Sequence, residues 1–437
     1  MFFKYAIFIA IRLASIALAI PGPVYRVDGE AYNYTQNVEK LKVYAQSAYD
    51  QSRAELLNGT GIGGSGNCSL ANIRVRKEWN SLIDEEKKAY IDAVKCLQSK
   101  PALTPASVAP GAKTRFDDFV ATLINQTLTI HYTGNFLSWH RYFVWLYEQA
   151  LREECGYQGT QPYWDWATTA EYGLANSSLF DGSDLSMSGD GAFIPNQGNI
   201  TLLVTTSNSS SSSDPAPIYL PPGTGGGCVT SGPFANMSVN LGPAGLSVPG
   251  GGGATVANPA GAFAHNPRCL KRSLTDGANG GFANASSVLA VVAAPRDVYA
   301  FQMQMQGAPG SGDLGVHGGG HYALGGDPGR DAYVSPGDPA FYLHHAMIDR
   351  TWWMWQMGAA ASSGEGGVGG EGGTTTVEAR LRGPRALMGT NTFLDDPPSA
   401  NTTYEDYVGY GWAAGPPRQI AELMSTVGGS PFCYVYL

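Results

Sequence analysis

Charge is scarce in this chain, and what there is leans negative. Only 14% of its 437 residues are Asp, Glu, Lys or Arg, and 27 basic residues against 36 acidic ones leave a net charge of −9. Non-specific nucleic-acid binding rests on Lys and Arg neutralising phosphates, so no nucleic-acid partner is expected. Beyond the N-terminus no segment reaches the roughly 20 apolar residues needed to cross a bilayer. No Cys-x-x-Cys occurs among the six cysteines, which argues against a thiolate metal site. No unit repeats with a period of about 20–50 residues, so a solenoid is excluded.

What is present points to secretion. Lys4 precedes an apolar stretch from Tyr5 to Ile20, and Ala17-Leu18-Ala19 ends it just ahead of Pro21. This is the layout of a cleavable signal peptide, expected over residues 1–19. The alternative, an uncleaved anchor, is disfavoured because Arg12 interrupts the apolar run. Ten N-x-[ST] sequons, at Asn33, Asn58, Asn67, Asn125, Asn176, Asn199, Asn208, Asn236, Asn284 and Asn401, fit an extracellular protein with N-linked glycans. Cys68, Cys96, Cys155, Cys228, Cys269 and Cys433 are even in number and widely spaced. In an oxidising compartment they allow up to three disulfides, with the pairing left open.

A hydrophobic content of 43% with 11% aromatics is ample for a large core. The stretches from Ala31 to Ala54 and Ile73 to Leu97 read as helices, with Asn80, Ser81 or Asp84 able to cap one inside the second. Phe116 to Ile124 and Trp139 to Glu154 are apolar helical stretches. In the latter, His140, Phe143, Val144, Tyr147 and Leu151 share a face, with Glu148, Arg152 and Glu153 off it. From about Ser177 to Pro259, Gly, Ser, Pro and Asn dominate, which predicts a long surface excursion. Gly358 to Gly373 predicts another loop. Strands should be few and short. Gly61 to Gly66 matches G-x-G-x-x-G by letter, but no strand precedes it and a sequon follows, so a nucleotide role is set aside.

The histidines carry the functional signal. His131 and His140 lie nine residues apart, and His317 and His321 are followed by the pair His344–His345. Imidazole suits copper, zinc, iron and nickel. Residues at i and i+4 share a helix face, so His317 and His321 could grip one ion. Three glycines between them cost about 1 kcal/mol each in a helix relative to alanine, which implies that something bulky approaches there. Asp349, one turn after His345, could accept a hydrogen bond from a nearby imidazole.

Three strings then combine: Asp338-Pro339-Ala340-Phe341, His344-His345 with Asp349 four residues on, and Phe136-Leu137-Ser138-Trp139-His140-Arg141-Tyr142-Phe143. Together they resemble the tyrosinase and polyphenol oxidase family, the type-3 copper proteins, and more narrowly the short fungal catechol and o-aminophenol oxidases. The match runs from roughly Phe116 to Tyr410. The resemblance implies a mainly α fold whose four-helix core houses a dinuclear copper site, with long Gly/Ser-rich loops. It implies one copper-binding domain over residues 20–437, without a C-terminal lid after the Tyr407–Gly411 motif.

By motif, His131 and His140 would bind the first of two copper ions, and His317, His321 and His345 the second, with His344 a neighbour. Phe341 would pack over the site and Asp349 would orient its ligands. Gly318 stands where efficient monophenol hydroxylases of the family often carry asparagine, which favours diphenol or aminophenol oxidation. The implied partners are O₂ and a small phenol oxidised to a quinone. One residue departs from the pattern: Leu123 lies eight positions before His131, where a third histidine is expected. That leaves two alternatives, an oxidase with an altered first site or a non-catalytic copper-binding scaffold. Haemocyanins share the fold as oxygen carriers, but the single-core layout favours catalysis.

Overall fold

The computed structural model describes residues 33–58, 68–202, 218–295, 297–307, 313–358, 376–413 and 415–437. The expected signal peptide at 1–19, the glycine motif at 61–66, the serine run at 207–213 and nearly all of the expected loop at 358–373 lie outside these residues. Eleven α-helices are described: α1 (Tyr34–Asn58), α2 (Asp84–Ser99), α3 (Arg115–Ile130), α4 (Phe136–Cys155), α5 (Trp166–Tyr172) and α6 (Asp276–Phe282). They continue with α7 (Ala285–Ala293), α8 (Val298–Gln306), α9 (Gly315–Leu324), α10 (Phe341–Met357) and α11 (Val377–Arg382). Strands are two to four residues long and pair only in twos. No described helix is long and apolar enough to cross a membrane.

Local chemistry sets the ends of the central helices. Thr114 caps α3 by accepting the Asp117 N–H, while the Asp117 carboxylate accepts the Thr114 N–H, a reciprocal box that satisfies two otherwise orphaned donors. Gly156 ends α4 in the left-handed region at φ 70°, a conformation a side chain would disfavour. α3 packs on α4, α4 on α10 and α10 on α9, and these four helices or their ends carry every clustered histidine.

The second predicted helix is only partly one. Arg74–Arg76 is a strand pairing in parallel with Tyr434–Tyr436, and helix begins at Asp84. Ile83 takes the cap position, and Glu86 reaches back to its N–H. Here a β pairing with the distant C-terminus overrides local propensity. α4 also departs from a one-sided helix. Glu148 is buried and pairs with Arg76 from that strand, so a charged residue faces the interior because its counter-ion does too.

All six cysteines pair, as Cys68–Cys433, Cys96–Cys155 and Cys228–Cys269. The first staples the strand junction just described. The second ties α2 to the end of α4. The third anchors the 177–259 segment, whose described parts do not stand away from the body: Phe180, Met187, Phe234 and Leu241 are buried in the main core. A few large side chains among the glycines supply the burial that average composition concealed.

Candidate metal centre

α9 shows why three glycines interrupt two histidines. A Cβ on Gly319 would lie 2.7 Å from Phe282 Cβ, where α6 crosses, and one on Gly320 would lie 2.2 Å from the His344 ring. Both positions are bare so that neighbours can close in. Gly318 differs, because its added Cβ would meet only Leu314, at 3.3 Å or more. It lines an open cleft of about 100 Å³ together with His131, His317 and His321.

Five imidazoles converge from four chain segments. Ring centroids lie 5.1 Å apart for His131–His140, 4.8 Å for His317–His321, 4.7 Å for His140–His345 and 5.8 Å for His131–His317. The expected set is thus brought together, with His345 facing both halves through His140 and through His321 at 3.3 Å between Nε2 atoms. Three rings are oriented by the backbone. The Nδ1 atoms of His131, His140 and His321 lie 2.9, 2.8 and 3.0 Å from the carbonyls of Thr127, Phe136 and Gly329. A donated Nδ1–H fixes the tautomer and leaves the Nε2 lone pair for a metal.

His344 lies 5.2 Å from Trp166 and 4.6 Å from His321, packed against Gly320. Among the described residues, His317, His321, His344 and His345 form a group whose ligand atoms all fall within 4.8 Å of one another. His265 is exposed and takes no part.

Phe341 stacks on the His345 ring at 4.0 Å between centroids, as expected of a residue packed over the site. Asp349 does not behave as expected. It touches no imidazole; its oxygens accept from Arg141, Arg76, Tyr434 and Tyr436. The physical reason is charge: a buried carboxylate draws the two buried guanidiniums rather than neutral rings. Because Arg141 follows His140, the carboxylate still locks α4 to α10 and so fixes the spacing of His140 and His345.

Burial pushes His131 and His321 down to about 4, and His140, His317, His344 and His345 also fall well below the ordinary imidazole value, for the same cause. Neutral imidazoles are the form that ligates. Among the described residues, His140 Nε2 and His317 Nε2 are buried without any hydrogen-bond partner, a cost that a metal would remove. Neutral nitrogen donors with no carboxylate among them fit copper well. Leu123 is fully buried in α3, and its side chain carries no atom that could ligate a metal.

The cleft contains residues that spacing could not reveal. Tyr132 holds φ 52°, which a bulky residue rarely adopts, and Gln306 stabilises it by accepting its N–H at 2.9 Å and its hydroxyl through the backbone carbonyl at 2.8 Å. Position beside His131 was the only available signal for Tyr132. Gln306 and Arg330, also on the cleft wall, had none.

The family model described as "Common central domain of tyrosinase" matches residues 113–358. "Tyrosinase P" of Aspergillus terreus is 40% identical over 368 residues, 83% of this chain and 91% of that protein. "N-acetyl-6-hydroxytryptophan oxidase" of Emericella nidulans is 40% identical over 379 residues, 84% of this chain and 93% of its own. A solved polyphenol oxidase variant from Thermothelomyces thermophila superposes with a TM-score of 0.78 at 41% identity, covering 91% of this chain and 98% of that one. Converging imidazoles, helical core and sequence likeness agree: this chain belongs to the tyrosinase family, whose members imply a dinuclear copper centre.

Proposed function

We propose that the chain is a secreted copper oxidase that uses O₂ to oxidise o-diphenols or o-aminophenols to quinones. The observation that carries this reading is the convergence of five neutral imidazoles, three of which, His131, His317 and His321, line an open cleft. His317, His321 and His345 would hold one copper, and His131 and His140 would face the other. Bound copper supplies the one-electron exchanges by which O₂ is reduced at the substrate's expense.

The chain's own residues do the rest. Backbone carbonyls hold three rings in one tautomer, so the Nε2 lone pairs are pre-aligned. Phe341, flat against His345, blocks rotation of that ring and excludes water from its face. Gly318 leaves the cleft open beside His317 for a planar ring and presents no polar group to deprotonate a bound monophenol. This supports diphenol over tyrosine oxidation. Secretion is supported by the leader, by three disulfides and by sequon asparagines on the surface, among them Asn125, Asn176, Asn199 and Asn401. Asn284 is an exception, since it is buried and caps α7.

Leu123 favours a second reading, a copper-binding scaffold without turnover. Metal analysis combined with a 4-tert-butylcatechol assay separates the two. An oxidase carries about two coppers per chain and forms the quinone. One copper or none, with no quinone, establishes the scaffold instead.

A further inference from the structure

One cation on the cleft wall lacks a counter-ion among the described residues. Arg330 lines the same cavity as His131, Gly318 and His321. Its Nε and Nη2 donate to one acceptor, the Ser247 carbonyl, at 3.2 and 2.9 Å. The two nearest carboxylates in sequence are already engaged. Asp327 is held bidentately by Arg268, at 2.7 Å on each oxygen. Asp331 accepts the N–H groups of Ala244, Gly245 and Tyr333. Among the described residues, no carboxylate lies within ion-pair distance of Arg330.

Burial lowers the Arg330 pKa, partly offset by Tyr322 and the two aspartates, so its surroundings under-compensate a charge that a guanidinium cannot shed. A second donor on the wall is also unused: Gln306 is 1% exposed and its Nε2 has no partner. The cleft therefore offers spare donors, one of them charged, and that matches an anion.

We propose that Arg330 is a specificity-determining residue that selects phenolic substrates bearing a carboxylate. Arg carries five N–H donors in a planar fork, and Nη1 makes none of the contacts described, so it remains for a carboxylate oxygen. The assignment rests on the cleft being the substrate site, as argued above. Tyr322 and Tyr333, which also line it, would flank the aromatic body while the acid group reaches the cation.

The test is titration calorimetry on the full chain as purified, with 3-phenylpropanoate against 3-phenylpropan-1-ol, a pair that differs in the acid group and cannot be oxidised as a catechol. The wild type should bind the acid at least tenfold more tightly, since a charge-assisted hydrogen bond contributes about ten- to hundredfold. Arg330→Gln should abolish that preference, and Arg330→Lys should keep part of it. A thermal melt confirms that both variants are folded. In turnover, KM for 3-(3,4-dihydroxyphenyl)propanoate should rise more in Arg330→Gln than KM for 4-methylcatechol, with kcat for the two moving together.

Equal binding of acid and alcohol by the wild type overturns the proposal, as does an acid preference that survives Arg330→Gln. Acid preference without any catechol turnover leaves Arg330 assigned and removes the oxidase reading. Turnover without acid preference does the reverse.

Discussion

Replacing Leu123 by histidine should lower stability without copper and recover or exceed the parent's stability with it. Leu123 is fully buried in α3, one turn before Thr127, whose carbonyl anchors His131. Without metal, an imidazole placed there is a buried polar group with no designed partner, which costs about 1–3 kcal/mol. The apo variant should therefore melt below the apo parent. Unfolding entropy of about 2 cal/mol/K per residue makes 1 kcal/mol worth roughly 1 °C in a chain of this length, so a drop of about 1–3 °C is expected.

Copper reverses the order. A third imidazole beside His131 and His140 creates a site that the parent fills weakly, and binding at a hundred times Kd adds about 2.7 kcal/mol. The copper-loaded variant should melt at or above the loaded parent, hold close to two coppers per chain, and form quinone from 4-tert-butylcatechol faster. Scanning calorimetry with and without a copper chelator, alongside metal analysis, reads all three. If copper raises both melting points equally and quinone formation is unchanged, position 123 is not the missing ligand.

Other outcomes follow from the same structure. Asp349→Ala leaves the buried guanidiniums of Arg76 and Arg141 without their shared carboxylate, and should cost about 3–5 kcal/mol in denaturant unfolding; a loss under 1 kcal/mol would show that the cluster is not a structural lock. Burial tends to raise the Asp349 pKa, but Arg141, Arg76 and the two tyrosine hydroxyls outweigh it and hold it below the ordinary value. Its stabilising contribution is therefore complete above the unfolded value of about 4 and is lost as pH falls through the depressed folded value. The stability gap between parent and Asp349→Asn should narrow below about pH 4, and a gap that stays constant or widens there contradicts the assignment. Gly320→Ala drives a methyl group into the His344 ring and should destabilise by about 1–3 kcal/mol, whereas Gly318→Ala, facing the cleft, should cost less or gain from helix propensity. Equal effects at the two glycines would mean that His344 can move aside.

The five candidate ligands and Phe341 were legible in the chain because each sits in a short string that resembles a motif of the tyrosinase family. An i, i+4 pair shares a helix face, and a ring four residues from another stacks on it. The glycines of α9 announced a close approach, although which neighbours approach could not be read. Phe282 and His344 are brought there by helix packing. Asp349 was read as an imidazole partner, but its hydrogen-bond partners are arginines and tyrosines 85, 87, 208 and 273 residues away. The segment 177–259 read as an excursion because average composition hides the few side chains that bury.

Local sequence therefore decided that the core is helical, and its motifs, through their resemblance to the tyrosinase family, singled out the candidate ligands and the departure at Leu123, since motifs and helices are relations along a few turns of backbone. Folding alone decided that Arg76, Arg141 and two C-terminal tyrosines converge on one carboxylate, that Gln306 holds Tyr132 in the left-handed region, and that Arg330 borders the cleft with no counter-ion among the described residues. Such contacts depend on which distant surfaces meet, and hydrogen bonds and charges act over ångströms in space whatever their separation in sequence.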